Sequence, residues 1–196
     1  TPILLAIYLA FSGLVVHQIV DSADQTFSER FFEVFSLARF QGEYDGLGRT
    51  YWIVQTLITV VPAAPLFGHG PASYGGGAVA ALGNGAVYDQ LGLPFGVYGT
   101  EGYIDNNWLS LWGEVGTFGL VAYLLMFGAL FRASLRVYRR STNPETRALA
   151  LGFCAAMIAV TLNAFLATFL EVRTLAVYLW IFGGLVVTLG QKEGIV

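Results

Sequence analysis

Residues 99–120 read GTEGYIDNNWLSLWGEVGTFGL and join a glycine-rich segment to a long apolar one. Four polar side chains lie close together in this stretch, beside two tryptophans: Asp105, Asn106, Asn107 and Glu114. Polar groups at the mouth of a membrane helix are costly to keep and are often functional. The stretch therefore predicts a membrane helix that begins near Asn107, with a functional site at its start.

The composition predicts a membrane protein. Only 12% of the 196 residues are charged and 56% are hydrophobic, whereas a soluble domain carries about 25% charged residues. The net charge of −3 gives no indication of a nucleic-acid partner. The single cysteine, Cys154, excludes an internal disulfide and a metal site built from cysteines. The chain starts at Thr1 directly in an apolar segment, so we expect it to be a fragment of a longer protein.

Four apolar segments are long enough, or nearly so, to cross a bilayer. They cover residues 1–20, 107–131, 148–170 and 174–189. The predicted fold is therefore an all-α membrane protein with about four transmembrane helices. Segment 132–147 contains five arginines. Because short basic loops face the cytoplasm, this loop is assigned to the cytoplasmic side and the long segment 21–106 to the external side.

The external segment 21–106 is predicted to be one long loop with short amphipathic helices. Residues 28–40 have apolar side chains at helical spacing, which is typical of a helix on a membrane surface. Residues 49–61 form a second apolar helix, and Pro62 ends it before it can span a membrane. Residues 68–102 contain eleven glycines. Irregular backbone of this kind cannot face lipid.

The candidate catalytic groups lie in this external loop, whose only basic residues are Arg30, Arg39 and Arg49. Arginine presents a planar fork that suits phosphate. Arg49, close to Trp52, fits either this role or that of an interfacial arginine. The run Asp105-Asn106-Asn107 fits either a helix cap or a carboxylate base with amide donors beside it. The sequence contains no D-x-D, no H-E-x-x-H and no close cluster of His and Cys, so no protein-held catalytic metal is expected.

Three motifs follow one another in a fixed order. They are Gly48-Arg49-x-x-Trp52, then Pro65-Leu66-Phe67-Gly68-His69-Gly70-Pro71, then Asp105-Asn106 followed after nine residues by Gly116-Thr117-Phe118-Gly119-Leu120. This order and spacing resemble the O-antigen ligase and O-antigen polymerase family of bacterial membrane glycosyltransferases. The resemblance covers roughly residues 48–140. Asp105 stands where the ligases of that family carry histidine.

The resemblance implies that the chain is the C-terminal part of a larger helical bundle of the GT-C type. It implies a multi-pass protein of the bacterial cytoplasmic membrane whose catalytic loop lies on the outer side. The implied reaction transfers a glycan from undecaprenyl pyrophosphate to an acceptor glycan, in lipopolysaccharide or exopolysaccharide synthesis, without metal or cofactor. Arg49 would bind the pyrophosphate and Asp105 would act as base. The further substrate-binding candidates are Arg30, Arg39, Trp52, His69, Asn106, Asn107 and Glu114.

Two other functions fit the same composition. The first is a fragment of a transporter, with the proline-broken helix at 49–67 lining a substrate path. Its apolar segments, however, contain almost no ionisable residues. The second is a non-catalytic membrane scaffold that binds partners through the external loop. Alanine variants of Arg49 and Asp105 separate these from an enzyme, which would lose glycan transfer while staying in the membrane.

Overall fold

The computed structural model describes residues 37–96, 104, 106–171 and 173–196, and every regular element in these ranges is helical. The α-helices are α1 Leu37–Asp45, α2 Arg49–Gln55, α3 Val61–Ala63, α4 Gly76–Leu82, α5 Ala86–Leu91, α6 Asn107–Arg140, α7 Pro144–Asn163 and α8 Arg173–Lys192. A π-helical segment, Thr56–Val60, precedes α3, and a 3-10 turn, Phe169–Glu171, precedes α8. The chain divides into two compact units, Thr1–Gln55 and Thr56–Val196.

In the described part of the first unit, α1 and α2 are joined by a short turn. The N–H of Gly48 donates to the carbonyl of Glu43 at 2.7 Å, and the rings of Tyr44 and Tyr51 lie 5.3 Å apart. The side-chain amide of Gln55 donates to the Tyr44 hydroxyl at 3.3 Å. Only the end of the predicted helix 28–40 falls within the described residues, and there the helix continues to Asp45.

The second unit contains three helices that are long and apolar enough to cross a membrane. They are Asn107–Arg140, Pro144–Asn163 and Thr174–Lys192. A shared core holds them together, made of Phe127, Val137, Ala150, Phe153, Met157, Val160, Leu179 and Val186. This confirms the all-α prediction for the residues that the structure covers, with three candidate membrane-spanning helices among them. The fourth predicted span, residues 1–20, lies outside them.

The outward faces of these three helices are also apolar. The exposed fraction is 68% for Leu125, 51% for Ile158 and 58% for Ile181. Apolar surface of this extent is unusual on a soluble protein, whereas a lipid bilayer solvates it without cost. The surface thus supports the membrane environment that the composition predicts.

Helix α6 extends well past the predicted span 107–131. The part of α6 after Gly116 runs to Arg140 and alone corresponds to about 36 Å, which exceeds a hydrocarbon core of about 30 Å. Most of the predicted loop 132–147 is therefore helical, and only residues 141–143 separate α6 from α7. Two physical reasons account for the difference. Arginine is a good helix former, and Arg139 and Arg140 complement the negative end of the helix in its last turn.

The glycine-rich segment is more ordered than its composition suggests. Two short helices, α4 and α5, form within it, and each is capped by a left-handed glycine, Gly83 or Gly92. The helical elements that begin at Arg49 end at Ala63, close to the predicted end at residue 61. Pro62 itself lies in the first turn of α3, where a missing N–H is tolerated.

Candidate functional site at the start of α6

Helix α6 is broken at Gly116, and another segment of the chain fills the break. Gly116 has φ 66° and ψ −172°, so the regular hydrogen-bond ladder stops there. Residues 65–70, here called the insertion loop, supply the replacement partners. His69 N–H donates to Gly113 O at 2.9 Å, Gly70 N–H to Glu114 O at 2.8 Å, Thr117 N–H to Pro65 O at 2.9 Å and Phe118 N–H to Leu66 O at 3.1 Å.

This exchange satisfies the backbone groups that the break releases. In an unbroken helix the carbonyls of Gly113 and Glu114 would accept from residues 117 and 118. Here both sides of the break bond to the insertion loop instead. Insertion of another group into the hydrogen-bond ladder is a recognised cause of helix kinks. Here the insertion loop is that group, and it sets the angle between the parts of α6 before and after Gly116.

Two glycines make this close approach possible. A Cβ atom at Gly116 would overlap the carbonyl of Leu66, and one at Gly68 would overlap the backbone of Glu114. Both glycines also have positive φ, 66° and 69°, which is unfavourable for residues with a side chain. Both positions therefore require glycine for two reasons: a side chain would overlap the neighbouring backbone, and the backbone has a positive φ angle.

The side chain of Glu114 is tied to the segment that follows the insertion loop. Its carboxylate accepts hydrogen bonds from the backbone N–H groups of Ala72, Ser73 and Tyr74. Successive N–H groups that converge in this way form a small anion-binding nest. Ala72 has φ 55°, the left-handed conformation that such nests use, and its carbonyl accepts a hydrogen bond from Asn84 at 2.8 Å.

Two stacked tyrosines support the same segment from inside. Tyr74 and Tyr88 are fully buried, and their ring centroids are 5.6 Å apart. The Tyr88 hydroxyl accepts from the N–H of Gly75 at 2.7 Å, and the Tyr74 hydroxyl lies 2.7 Å from Thr56 Oγ1. Burial raises the pKa of Tyr88 above its ordinary value, and the hydrogen bond from Gly75 only partly opposes this.

A second carboxylate reaches the same place from the connection between α7 and α8. Glu171 Oε2 accepts from the N–H of Gly77 at 2.6 Å. Its Oε1 lies 3.3 Å from the hydroxyl of Ser110, which is also 3.2 Å from the carbonyl of Tyr74. Glu171 therefore links the start of α4 to the second turn of α6.

These groups surround a pocket of about 620 Å³. Its polar lining consists of Asn107, Ser110, Glu114 and Glu171. The remainder is mostly apolar, from Pro71, Ala72, Gly77, Ala78, Ala81, Leu111, Tyr123 and Leu170. A mainly apolar concavity with a few convergent polar groups is the usual form of a small-molecule site.

The first residues of α6 are anchored to the turn after α7. Asn106 is the N-cap, since its Oδ1 accepts from the N–H of Leu109 at 3.1 Å, so the capping interpretation holds for this residue. Its amide also donates to Phe165 O at 3.3 Å. The N–H of Asn107 donates to Ala164 O at 2.8 Å.

The predicted site residues are only partly brought together. Asn107 and Glu114 line the pocket, and Asn106 caps the adjoining helix end. His69 belongs to the insertion loop, where its Nε2 lies 3.0 Å from the carbonyl of Val60. Asp105 and Arg30 lie outside the described residues.

The remaining predicted residues belong to the first unit. Arg39 forms a largely exposed salt bridge with Glu43 at 2.7 Å, within α1. Arg49 begins α2, and Trp52, one turn later, is buried.

Ser110 and Glu171 were not predicted as site residues. Glu171 is the only acidic residue between positions 146 and 192. An isolated carboxylate at the end of an apolar helix pair is costly and often functional, so the sequence did contain a signal for it. Ser110 has no comparable signal, because a single serine in a helix is common.

Comparisons with protein-family models, with curated proteins and with solved structures find no match. The three membrane-capable helices indicate a lipid bilayer as the environment. Any more specific function has to be inferred from the sequence motifs and from the chemistry of the pocket.

Proposed function

We propose that this chain is the C-terminal part of a membrane glycosyltransferase that moves a glycan from undecaprenyl pyrophosphate to the hydroxyl of an acceptor sugar. Its motifs resemble the O-antigen ligase and polymerase family, and the reaction takes place on the outer face of the bacterial cytoplasmic membrane. The observation that carries the proposal is the contact between the second and third motifs. The insertion loop bonds to α6 on both sides of Gly116.

That contact supports a shared role for motifs that are far apart in sequence. The second motif contributes the insertion loop, and the third contributes Gly116 and the pocket-lining Glu114. Because these parts meet through backbone hydrogen bonds, the pocket wall and the kink form as one structure. A pocket at the mouth of a membrane helix can also hold a water-soluble acceptor close to a donor that is anchored in the bilayer.

In the proposed reaction the acceptor oxygen attacks the anomeric carbon of the donor glycan. A new carbon–oxygen bond forms while the bond from that carbon to the pyrophosphate oxygen breaks. The hydroxyl proton passes to the carboxylate of Asp105, and undecaprenyl pyrophosphate departs with the bonding electrons. Arg49 offsets the charge of this leaving group. Arginine supplies a positive charge and a planar set of donors for phosphate, so the proposed step needs no metal ion.

The test replaces Arg49 and Asp105 by Ala, one at a time, in the full-length protein in its bacterial host. Both variants are expected to remain in the membrane at the wild-type level, to lose the glycan product and to accumulate the lipid-linked donor. Matched controls are Arg139→Ala at the end of α6 and Asp89→Ala on α5, which should keep the product. Unchanged product in both test variants would overturn the proposal.

A further inference from the structure

The charged side chains of the pocket at the start of α6 are both carboxylates. Glu114 and Glu171 line it, and its lining residues in the described ranges include no lysine, arginine or histidine. Carboxyl side chains do not attract a phosphate, which arginine and lysine bind. They accept hydrogen bonds, so they suit a ligand that donates them. The pocket therefore has the wrong charge for the pyrophosphate of a lipid-linked donor.

Asn107 provides a second and independent observation. Its side chain lines the pocket and is only 4% exposed. Its Oδ1 has no hydrogen-bond partner among the residues that the structure describes. Buried side-chain oxygens nearly always have a donor, so this atom indicates one that a ligand supplies. Asn107 and Glu171 thus both suit a ligand that donates hydrogen bonds.

The apolar part of the lining narrows the ligand class. Ala78, Ala81, Leu111 and Leu170 supply aliphatic surface, and Tyr123 adds an aromatic ring. A sugar ring matches this combination, because it presents hydroxyl donors around its edge and C–H groups on its faces. The volume of about 620 Å³ lies within the range of about 300–1,000 Å³ that is usual for small-ligand sites.

We infer that this pocket binds the acceptor glycan through its hydroxyl groups, with Glu171 and Asn107 accepting hydrogen bonds from them. The inference rests on the proposed function and extends it to a residue, Glu171, that lies between α7 and α8. Glu114 is a positioning residue. Its oxygens accept the N–H groups of residues 72–74 and so hold the wall of the pocket in place.

Saturation-transfer NMR tests this on the full-length protein in a sugar-free amphipol. Glucose, galactose, mannose and N-acetylglucosamine are present together as probes. At least one of them should receive saturation from the wild-type protein. Glu171→Gln should weaken that binding about tenfold or more, because a charged hydrogen-bond acceptor is lost. Glu193→Gln, which neutralises a carboxylate just after α8, should leave it unchanged.

A second variant, Asn107→Leu, guards against loss of folding in Glu171→Gln. The Oδ1 atom of Asn107 makes no hydrogen bond within the described structure, so its loss removes no described bond of that oxygen, while sugar binding should weaken. A wild-type melting temperature checks that the variant is folded. The inference is overturned if none of the four sugars receives saturation, or if both variants bind as the wild type does. It is also overturned if calcium chloride alone raises the melting temperature of the wild type but not of Glu171→Gln, because that result would indicate a cation site.

The NMR measurement does not depend on turnover, so the two proposals can fail separately. If sugar binding requires Glu171 but the Arg49→Ala variant still makes product, only the proposed role of Arg49 in binding the donor is refuted. If Arg49→Ala loses product but Glu171→Gln binds sugar as the wild type does, only the assignment of the pocket to the acceptor is refuted.

Discussion

Replacement of Gly116 by Ala tests the kink on which the pocket depends. Gly116 has φ 66° and ψ −172°, a conformation that is essentially restricted to glycine and costs other residues about 1–3 kcal/mol. The new Cβ would also overlap the carbonyl of Leu66 and the N–H of Gly68. The insertion loop would have to move away from α6, or the helix would have to straighten.

The expected cost follows from these two effects. Movement of the loop removes the bond from Phe118 N–H to Leu66 O and the bond from Gly68 N–H to Ala64 O, each worth about 1 kcal/mol. With the backbone strain, Gly116→Ala should lower the free energy of unfolding by about 3–5 kcal/mol. That amount is a large part of the stability of a typical domain.

The assay is equilibrium unfolding in detergent micelles titrated with SDS, followed by tryptophan fluorescence. Gly128→Ala is the matched control on the same helix, because a Cβ at Gly128 meets nothing within 4 Å and the residue has no positive φ. Alanine there should be neutral or stabilise by up to about 1 kcal/mol. If Gly116→Ala unfolds within about 0.5 kcal/mol of wild type, the reasoning about the kink is refuted.

Three further predictions concern the surroundings of the pocket. Asn106→Ala removes the N-cap of α6 and should lower the free energy of unfolding by about 1 kcal/mol in the same titration. The control, Gln191→Ala at an exposed position of α8, should lower it by less than about 0.5 kcal/mol. Glu114→Ala leaves the N–H groups of residues 72–74 without their acceptor and should cost at least about 2 kcal/mol. Burial raises the pKa of Tyr88, so its stabilising contribution is complete below about pH 10 and is lost as the pH rises further. Tyr88→Phe should therefore lose less stability than wild type between about pH 9 and pH 11.

A specific result would contradict each of these three expectations. Equal unfolding free energies for the Asn106→Ala and Gln191→Ala variants would show that the cap contributes nothing. A wild-type midpoint for Glu114→Ala would mean that water replaces the carboxylate at the three N–H groups. Parallel alkaline stability curves for wild type and Tyr88→Phe would show that Tyr88 does not titrate differently in the folded protein.

The sequence predicts the features that depend on local pattern. Long apolar segments identify the helices that become α6, α7 and α8. The run Asp105-Asn106-Asn107 before one of them predicts a cap, and the fold assigns that cap to Asn106. The end of α6 was missed for a local reason as well. A cluster of arginines indicates an aqueous environment, but it does not end a helix, so the residues after Phe131 stay helical to Arg140.

The arrangement of the pocket could not be predicted in the same way. Hydrogen bonds between the insertion loop and α6 join residues more than forty positions apart. The glycines at 68 and 116 indicate a close approach of backbone, but not which segment approaches. Glu171 reaches the pocket across 61 positions from Ser110. The resemblance to the glycosyltransferase family singled out the motifs at 65–71 and 105–120. The contact between these motifs, and the presence of Glu171 in the pocket, become visible only in the folded structure.

Glycan transfer by purified full-length protein tests the proposed function most directly. The protein is reconstituted with a lipid-linked glycan donor and an acceptor glycan from its host, with EDTA present throughout. We predict that product and free undecaprenyl pyrophosphate form in equal amounts, and that neither forms with the Arg49→Ala variant. An absence of product with wild-type protein, or equal product from the variant, would contradict the assignment of this chain to lipid-linked glycan transfer.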